Sequence, residues 1–174
     1  MKTIYDKSFY KNVNNTALSS AEVVVPLILR TLPGVKSVAD FGCGQGAWLS
    51  IFKRNGINEI QGFDGEWVKK EELLINEAEF SCKDLSEPFE TNKKYDLAIS
   101  LEVGEHLSKE SAGTLVKSIT AASDNVIFSA AIPYQGGTDH LNEQWADYWA
   151  DLFAKQNFIC LDIFREKIWN NTHY

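Results

Sequence analysis

Three glycines at alternate positions, Gly42, Gly44 and Gly46, follow directly on an apolar stretch in the run VADFGCGQGAW (Val38–Trp48). Glycine tolerates positive φ and lets a ligand come close to the main chain. Where such a loop opens a helix, free N–H groups and the positive dipole end face an anionic or acceptor-rich group. A tight strand-to-helix turn needs one glycine, rarely three, so the loop reads as a cradle for a cofactor. Its spacing is G-x-G-x-G, whereas a dinucleotide fingerprint reads G-x-G-x-x-G. Asp64 ends the next apolar run, where an acid can accept both ribose hydroxyls of an adenosine. That serves NAD or S-adenosylmethionine equally. Asp40, just before the glycines, separates the two: its carboxylate would repel a pyrophosphate but suits an α-ammonium group.

A second constellation holds candidate acids and bases. Glu102, Glu105 and His106 lie in EVGEHL, and His140 follows GGTD. An imidazole is partly neutral at cell pH, as a general base must be. His140 is the first candidate for that role and otherwise a surface-loop histidine. His106 is a second candidate, or it orients the loop or caps the next helix. Glu102 is expected to face the positive end of the cofactor, with Glu105 near the acceptor; the alternative is a solvated acidic turn. Asn142, Glu143 and Gln144 either cap a helix or, with His140, hydrogen-bond a polar acceptor. Tyr134, in the same loop, joins Asn142 and Gln144 as a candidate substrate contact. Trp67 is placed to cover one face of an adenine or to be buried under a short helix. Trp145, Tyr148, Trp149 and Phe153 recur at helical spacing and read first as a core stripe. Tyr5, Phe9 and Tyr10 are weaker candidates for a lid. His173, near the end of the sequence, has no partner in the pattern. The histidines and cysteines lack ligand spacing along the chain, so no metal cluster is expected.

These residues must be held by strands alternating with helices. A helix from Ser19 or Ser20 to about Thr31 is followed by the breaker Pro33–Gly34. Strands are expected at 36–41, 57–64, 78–85, 95–103, 125–133 and 158–164. Helices are expected at 46–56, around 67–75, at 108–123 from a serine cap, and from Asn142 to Asn157. The first eighteen residues read as a polar arm. Alternation of this kind means βαβ units, a mostly parallel sheet and helices on both faces.

The 174 residues suit one domain with ample length for a core. The net charge of −7 gives no basic footprint, so nucleic acid is disfavoured as a partner. Three scattered cysteines form neither a disulfide framework nor a zinc pattern and point to reduced thiols in a cytoplasm. The longest apolar stretch, Val23–Leu29, is too short to span a bilayer and has neither the position nor the flank of a signal peptide. The expected setting is cytoplasmic, with a small-molecule substrate, no nucleic acid and no membrane; the pattern leaves the oligomeric state open.

DFGCGQG (Asp40–Gly46) resembles the first motif of class I S-adenosylmethionine-dependent methyltransferases, and the order of strands and helices resembles that family from Val35 to Phe164. The resemblance implies a three-layer αβα sandwich with a Rossmann-like, mostly parallel sheet. Residues 1–34 would form an N-terminal arm and helix, and residues 35–174 the cofactor-binding domain, in one globular unit. It implies S-adenosyl-L-methionine held by Asp40, Gly42, Cys43, Gly44 and Gly46. GFD resembles the second motif, with Asp64 on the ribose beside Gly65 and Trp67. KDL resembles the third, with Asp84 on the adenine amino group and Leu85 behind the ring. YDLAISLEVGEHL (Tyr95–Leu107) resembles the fourth-strand motif of small-molecule methyltransferases, with Leu101 and Glu102 on the methionine side. FSAAIPYQGGTDHLNEQWADYW (Phe128–Trp149) is similar to a subgroup encoded among bacterial and viral glycan or secondary-metabolite functions. The family usually ends in a two-stranded hairpin, and REKIWNNTHY is short for a further strand and its turn, so the expectation is a missing final strand, a shortened C-terminal hairpin, or a minimal strand from the last residues.

Such enzymes perform an in-line displacement in which placement of the acceptor supplies most of the acceleration. A base is needed only where the nucleophile must lose a proton in step, as a sugar or phenol hydroxyl would. The expected activity is methyl transfer to oxygen or nitrogen of a small polar acceptor: a sugar, a glycan or a natural-product intermediate. Two alternatives stand beside it. One is a nicotinamide-dependent oxidoreductase, disfavoured by the glycine spacing, Asp40 and the lack of length for a substrate domain. The other is a methyltransferase-like module that binds without turnover. No D/N-P-P-Y/F signature follows the fourth strand, which speaks against an amino-methylating DNA enzyme.

Overall fold

The computed structural model describes the backbone of residues 7–171 and the side chains of residues 16–171. Five strands, β1 (Ser37–Phe41), β2 (Glu59–Asp64), β3 (Phe80–Cys82), β4 (Leu97–Leu101) and β5 (Val126–Ser129), form one sheet in the order β3-β2-β1-β4-β5. Every pairing is parallel, with Asp40 opposite Gly62 on one side and Ile99 on the other. The order reverses at β1 and β4, so their carboxyl ends open the crevice in which α/β sheets bind ligands.

Period-2 alternation puts the two sides of β1 and β4 into different cores. Val38, Leu97 and Ile99 face α1 (Lys7–Thr31) and α2 (Ala47–Arg54), while Ala39, Phe41 and Ala98 face α3 (Ala112–Ala122). Ala21, Val24, Val25 and Ile28 form the buried stripe of α1 at i, i+3, i+4 and i+7. Leu115, Ile119 and Ala122 do the same for α3. α4 (Ala146–Ala154) packs Trp149 and Phe153 against Ala112, Val116 and Phe128. The three-layer αβα arrangement is the one expected.

Several expected elements differ. Residues 7–18 continue α1 rather than forming an arm; the side chains of Phe9 and Tyr10, and all of Tyr5 and His173, lie outside the described residues. The segment 67–75 holds a single 3₁₀ turn, Lys70–Glu72, although Trp67, Val68, Leu74 and Ile75 stand at helical spacing; the Leu74 N–H donates instead to the Gln45 carbonyl, and Ile75 packs beside Gly46. α3 starts at Ala112, after a 3₁₀-like turn in which the N–H of Ser111 donates to the carbonyl of Ser108. α4 starts at Ala146, so Asn142–Gln144 lie in an extended loop before it. The run 158–164 is irregular, with Ile159 and Leu161 exposed, and is followed by one helical turn, α5 (Arg165–Ile168). Its short apolar run suits a strand, but no hydrogen bonding joins it to β5, so among the described residues the sheet ends there.

The amino end of the central pair is tied by one carboxylate. Asp96 accepts from the N–H groups of Lys36 and Ser37 and from the Ser37 hydroxyl, at 2.9–3.0 Å. These bonds hold its pKa below the ordinary carboxylate value, the Lys36 N–H contributing most. A depressed folded-state pKa gives stability that is present above the unfolded value, near 3.9, and lost as pH falls through the folded one. Asp96→Asn should therefore flatten the loss of thermal stability between about pH 5 and 2. Melting curves across that range check this, and an identical acid limb in both proteins would contradict it.

Candidate functional site

Two groups of side chains meet at the carboxyl ends of β1, β2 and β4. The first surrounds the glycine loop. The N–H groups of Gly42 and Cys43 donate to the Phe63 carbonyl at 2.8 and 3.3 Å, which pins the loop to the end of β2. Gly42 has φ +89°, and a Cβ there would fall 2.2 Å from Val103 Cγ2, so both conformation and space require glycine. Gly44 has φ +53° and nothing within 4 Å of where its Cβ would stand, which leaves bare backbone open to a ligand. Gly46 has positive φ and caps α2.

Asp64 closes this loop. One carboxylate oxygen accepts the Gly44 N–H and the other the Gly65 N–H, each at 2.7 Å. Burial raises its pKa, and the two N–H groups and the Trp67 indole pull it back. A carboxylate has about four acceptor positions, so beside these donors Asp64 keeps capacity for a ribose hydroxyl. The Trp67 ring lies over Gly65, where a Cβ would meet it at 2.2 Å, and the ring stays half exposed beside the acid. Asp40 is buried and its Oδ2 has no hydrogen-bond partner. Burial, then the charge of Asp64, pushes its pKa well up. An orphaned buried carboxylate beside an open glycine loop is an acceptor awaiting a cationic donor, as an α-ammonium group is. Cys43 is buried, and desolvation raises its thiol pKa, so it packs as a small apolar group. Beyond β3, Asp84 is exposed and folds one oxygen onto the N–H and hydroxyl of Ser86, at 2.9 and 2.6 Å; Leu85 is buried behind it. These residues fit an adenosyl-sulfonium amino acid.

The second group follows β4. Leu101 is half buried, and Glu102 takes φ +56°, with its carboxylate accepting from the Ser129 hydroxyl at 2.7 Å and the Gln135 amide at 3.4 Å. A 3₁₀ turn, Gly104–His106, then carries Glu105 inward and His106 outward. Gly104 admits the Trp149 ring, which would stand 2.6 Å from a Cβ there. Glu105 is 1% exposed, and neither of its carboxylate oxygens has a hydrogen-bond partner. Burial pushes its pKa up to about 6; the N–H groups of Glu105 itself and Ala131 pull downward without reaching hydrogen-bond geometry. Burial, then His140, lowers the pKa of His106.

His140 comes from the long loop after β5. The N–H groups of Leu141 and Asn142 donate to the Glu105 carbonyl at 2.8 and 3.0 Å, which draws that loop onto the β4 turn. The rings of His106 and His140 meet edge to face with centroids 4.9 Å apart. The Nδ1 of His140 bonds the Glu143 carboxylate at 2.9 Å. Glu143 also accepts the N–H groups of Tyr134 and Gly136, so it organises the whole loop. In sequence Glu143 reads as a helix cap or as an acceptor-binding group beside His140; its role as the partner of the His140 ring has one signal, an acid three residues after a histidine. Spacing along the chain gives no metal cluster, yet the fold brings a ligand atom from each of Glu105, His106 and His140 within 4.8 Å of the others.

The remaining candidates divide. Asn142 is buried, accepts from the Gln144 amide at 2.9 Å, and leaves its own Nδ2 without a partner. Gln144 is half buried next to it. Tyr134 is 96% exposed at φ +75° and is not brought to the histidine pair. Of the aromatic stripe, Trp149 and Phe153 are core, whereas Trp145 is more than half exposed. The cleft lined by Leu18, Ser50, Lys53, Arg54, Leu74 and Ile75 lies over α2 and reaches the glycine loop, where the Leu74 N–H donates to the Gln45 carbonyl at 2.8 Å.

A family model described as a methyltransferase domain matches residues 19–168. The chain belongs to this methyltransferase family. S-adenosylmethionine is the family's methyl donor, as the resemblance of the loop implies. Curated proteins give no match. Solved structures share the fold of this methyltransferase domain. DesVI of Streptomyces venezuelae matches with a TM-score of 0.59 and 18% identity over 75% of this chain and 58% of its own. CalS10 of Micromonospora echinaspora, an amino pentose methyltransferase of calicheamicin biosynthesis solved with S-adenosylmethionine, matches at 0.61 and 16%, over 83% and 67%. The magnesium protoporphyrin IX methyltransferase of Synechocystis PCC 6803, also solved with S-adenosylmethionine, matches at 0.64 and 20%, over 88% and 74%. The chain thus spans between about three fifths and three quarters of these relatives. Among the described residues no helix is long and apolar enough to cross a membrane.

Proposed function

We propose that this domain transfers a methyl group from S-adenosylmethionine to oxygen or nitrogen of a small polar acceptor such as a sugar, a glycan or a natural-product intermediate. The observation that carries the reading is the pairing, at the carboxyl ends of adjacent strands, of an adenosyl-shaped cradle with a cluster able to accept a proton. Asp64 would hold the ribose through its free lone pairs, and Asp84 and Leu85 would bound the adenine. Asp40 would receive the α-ammonium group, and Leu101 and Glu102 would line the methionine side. When bound, the cofactor supplies a sulfonium methyl that leaves without covalent help from the protein.

The Glu105–His106–His140 cluster stands on the loop that leaves β4 and serves the acceptor. Glu143 fixes the His140 ring through Nδ1, which leaves Nε2 as its basic nitrogen. Glu105, buried and without donors, favours a neighbour that brings positive charge or a proton. An acceptor hydroxyl placed here loses its proton to the cluster as the methyl arrives, a contribution of about 10²–10⁴ in rate. Three free cysteines are consistent with a reducing, cytoplasmic setting.

Methyl-labelled cofactor offered with a panel of sugars and phenols tests the proposal. Transfer of label to one class is the expected result. A protein that binds S-adenosylhomocysteine yet labels neither the panel nor a cell extract would favour a binding module instead.

A further inference from the structure

We propose that Glu105, His106 and His140 form a divalent-metal site, taking a first-row ion that accepts imidazole, such as Mn²⁺ or Zn²⁺. One atom from each side chain lies within 4.8 Å of the others, and the set is two imidazoles and one carboxylate. That mixture suits a borderline transition ion with open positions better than Mg²⁺ or Ca²⁺, which prefer oxygen alone. A second observation points to a ligand: Glu105 is 1% exposed, and both of its oxygens lack a hydrogen-bond partner. A carboxylate that far from water is expected to be paired or to coordinate a cation. The surroundings also match a metal site. Glu143 bonds Nδ1 of His140, which fixes the ring and leaves Nε2 for a metal, as a carboxylate behind a ligating histidine does. Ligand distances of about 2.1 Å require these atoms to draw closer than they stand, within the reach of side-chain rotation.

The inference rests on the proposed methyl transfer only for its chemistry. With Nε2 of His140 on the ion, activation passes from that nitrogen to the metal, and an acceptor hydroxyl bound there has a lowered pKa. Its O–H bond breaks, the proton passes to solvent, and the oxygen keeps the electron pair with which it attacks the methyl carbon. The carbon–sulfur pair stays on sulfur. The site would favour acceptors that present a hydroxyl with a second oxygen beside it.

The test titrates tag-free, chelator-treated protein with MnCl₂, following free Mn²⁺ by electron paramagnetic resonance, and with CoCl₂, following the visible ligand-field bands. One equivalent is expected to bind. His106→Asn, on an exposed ring, and Glu143→Gln, behind His140, should each weaken binding by about 10–100-fold. Both leave buried Glu105 in place, and circular dichroism reports their folding. S-adenosylhomocysteine affinity is measured in the same samples. No stoichiometric uptake of either ion, or uptake equally tight in both variants, overturns the metal site. Retained S-adenosylhomocysteine binding then leaves the methyltransferase reading standing, whereas its loss in the parent protein would remove that reading independently.

Discussion

His140→Ala is expected to lower kcat by about 10²–10⁴, the range associated with a positioned acid–base group, while the affinity for S-adenosylhomocysteine stays within about twofold of the parent. The two effects separate because the two groups are carried by different segments. The cradle is built from the loop after β1 and the end of β2, and Asp64 ties Gly44 to Gly65 without any residue from the 130–145 loop. His140 enters from that loop, oriented by Glu143 and set edge to face on His106. Its removal would take away a nitrogen at the proposed acceptor position and leave the glycine loop and Asp64 as they are. Single-turnover rates with saturating cofactor read the chemical step, and calorimetry reads the binding. Unchanged turnover would make His140 a bystander; a parallel loss of cofactor affinity would mean that the loop supports the cradle.

Asp64→Ala is expected to weaken S-adenosylhomocysteine binding by about 10–150-fold, or about 1.5–3 kcal/mol, the worth of hydrogen bonds to a charged group. The carboxylate has two functions. It accepts the Gly44 and Gly65 N–H groups, which shapes the loop before any ligand arrives. In the proposed complex it would also accept from a ribose hydroxyl. Alanine removes both and leaves two backbone donors without their acceptor. Asp64→Asn keeps the volume but must turn an N–H₂ group toward one of those donors, so its loss should lie close to that of alanine. Equal affinity in the parent and Asp64→Ala would remove Asp64 from the site. Equilibrium titration on proteins of matched melting temperature makes the comparison clean.

The backbone geometry of the glycine loop was legible because its signals are local. Positive φ at Gly42, Gly44 and Gly46, the acid at the end of β2 and the acid before the glycines all lie within short motifs whose spacing reports their geometry. The parallel sheet was legible for the same reason: apolar runs such as 37–41 and 97–101 alternate with amphipathic segments, and the structure sets them side by side. Beyond β4 the readable signal thins. The meeting of His106 with His140 depends on two N–H groups, Leu141 and Asn142, reaching the Glu105 carbonyl across the sequence. The role of Glu143 depends on the loop curling back on itself, and nothing in its neighbours' residue types encodes that. The 158–164 run shows the opposite failure. Its apolar run is strand-like, but a strand needs a partner edge, and the chain there makes no ladder with β5. The 67–75 run has apolar residues at helical spacing, yet contacts to the glycine loop, with the Leu74 N–H on the Gln45 carbonyl and Ile75 beside Gly46, leave it a single turn.

The central claim is that the bare backbone after β1 and the carboxylate after β2 hold an adenosyl-sulfonium cofactor rather than a dinucleotide. Isothermal titration of the unmodified chain with S-adenosylhomocysteine and, separately, with NAD tests it most directly. Saturable one-to-one binding of S-adenosylhomocysteine with no heat from NAD is the predicted result. Tighter binding of NAD, or no binding of S-adenosylhomocysteine by folded protein, would contradict it.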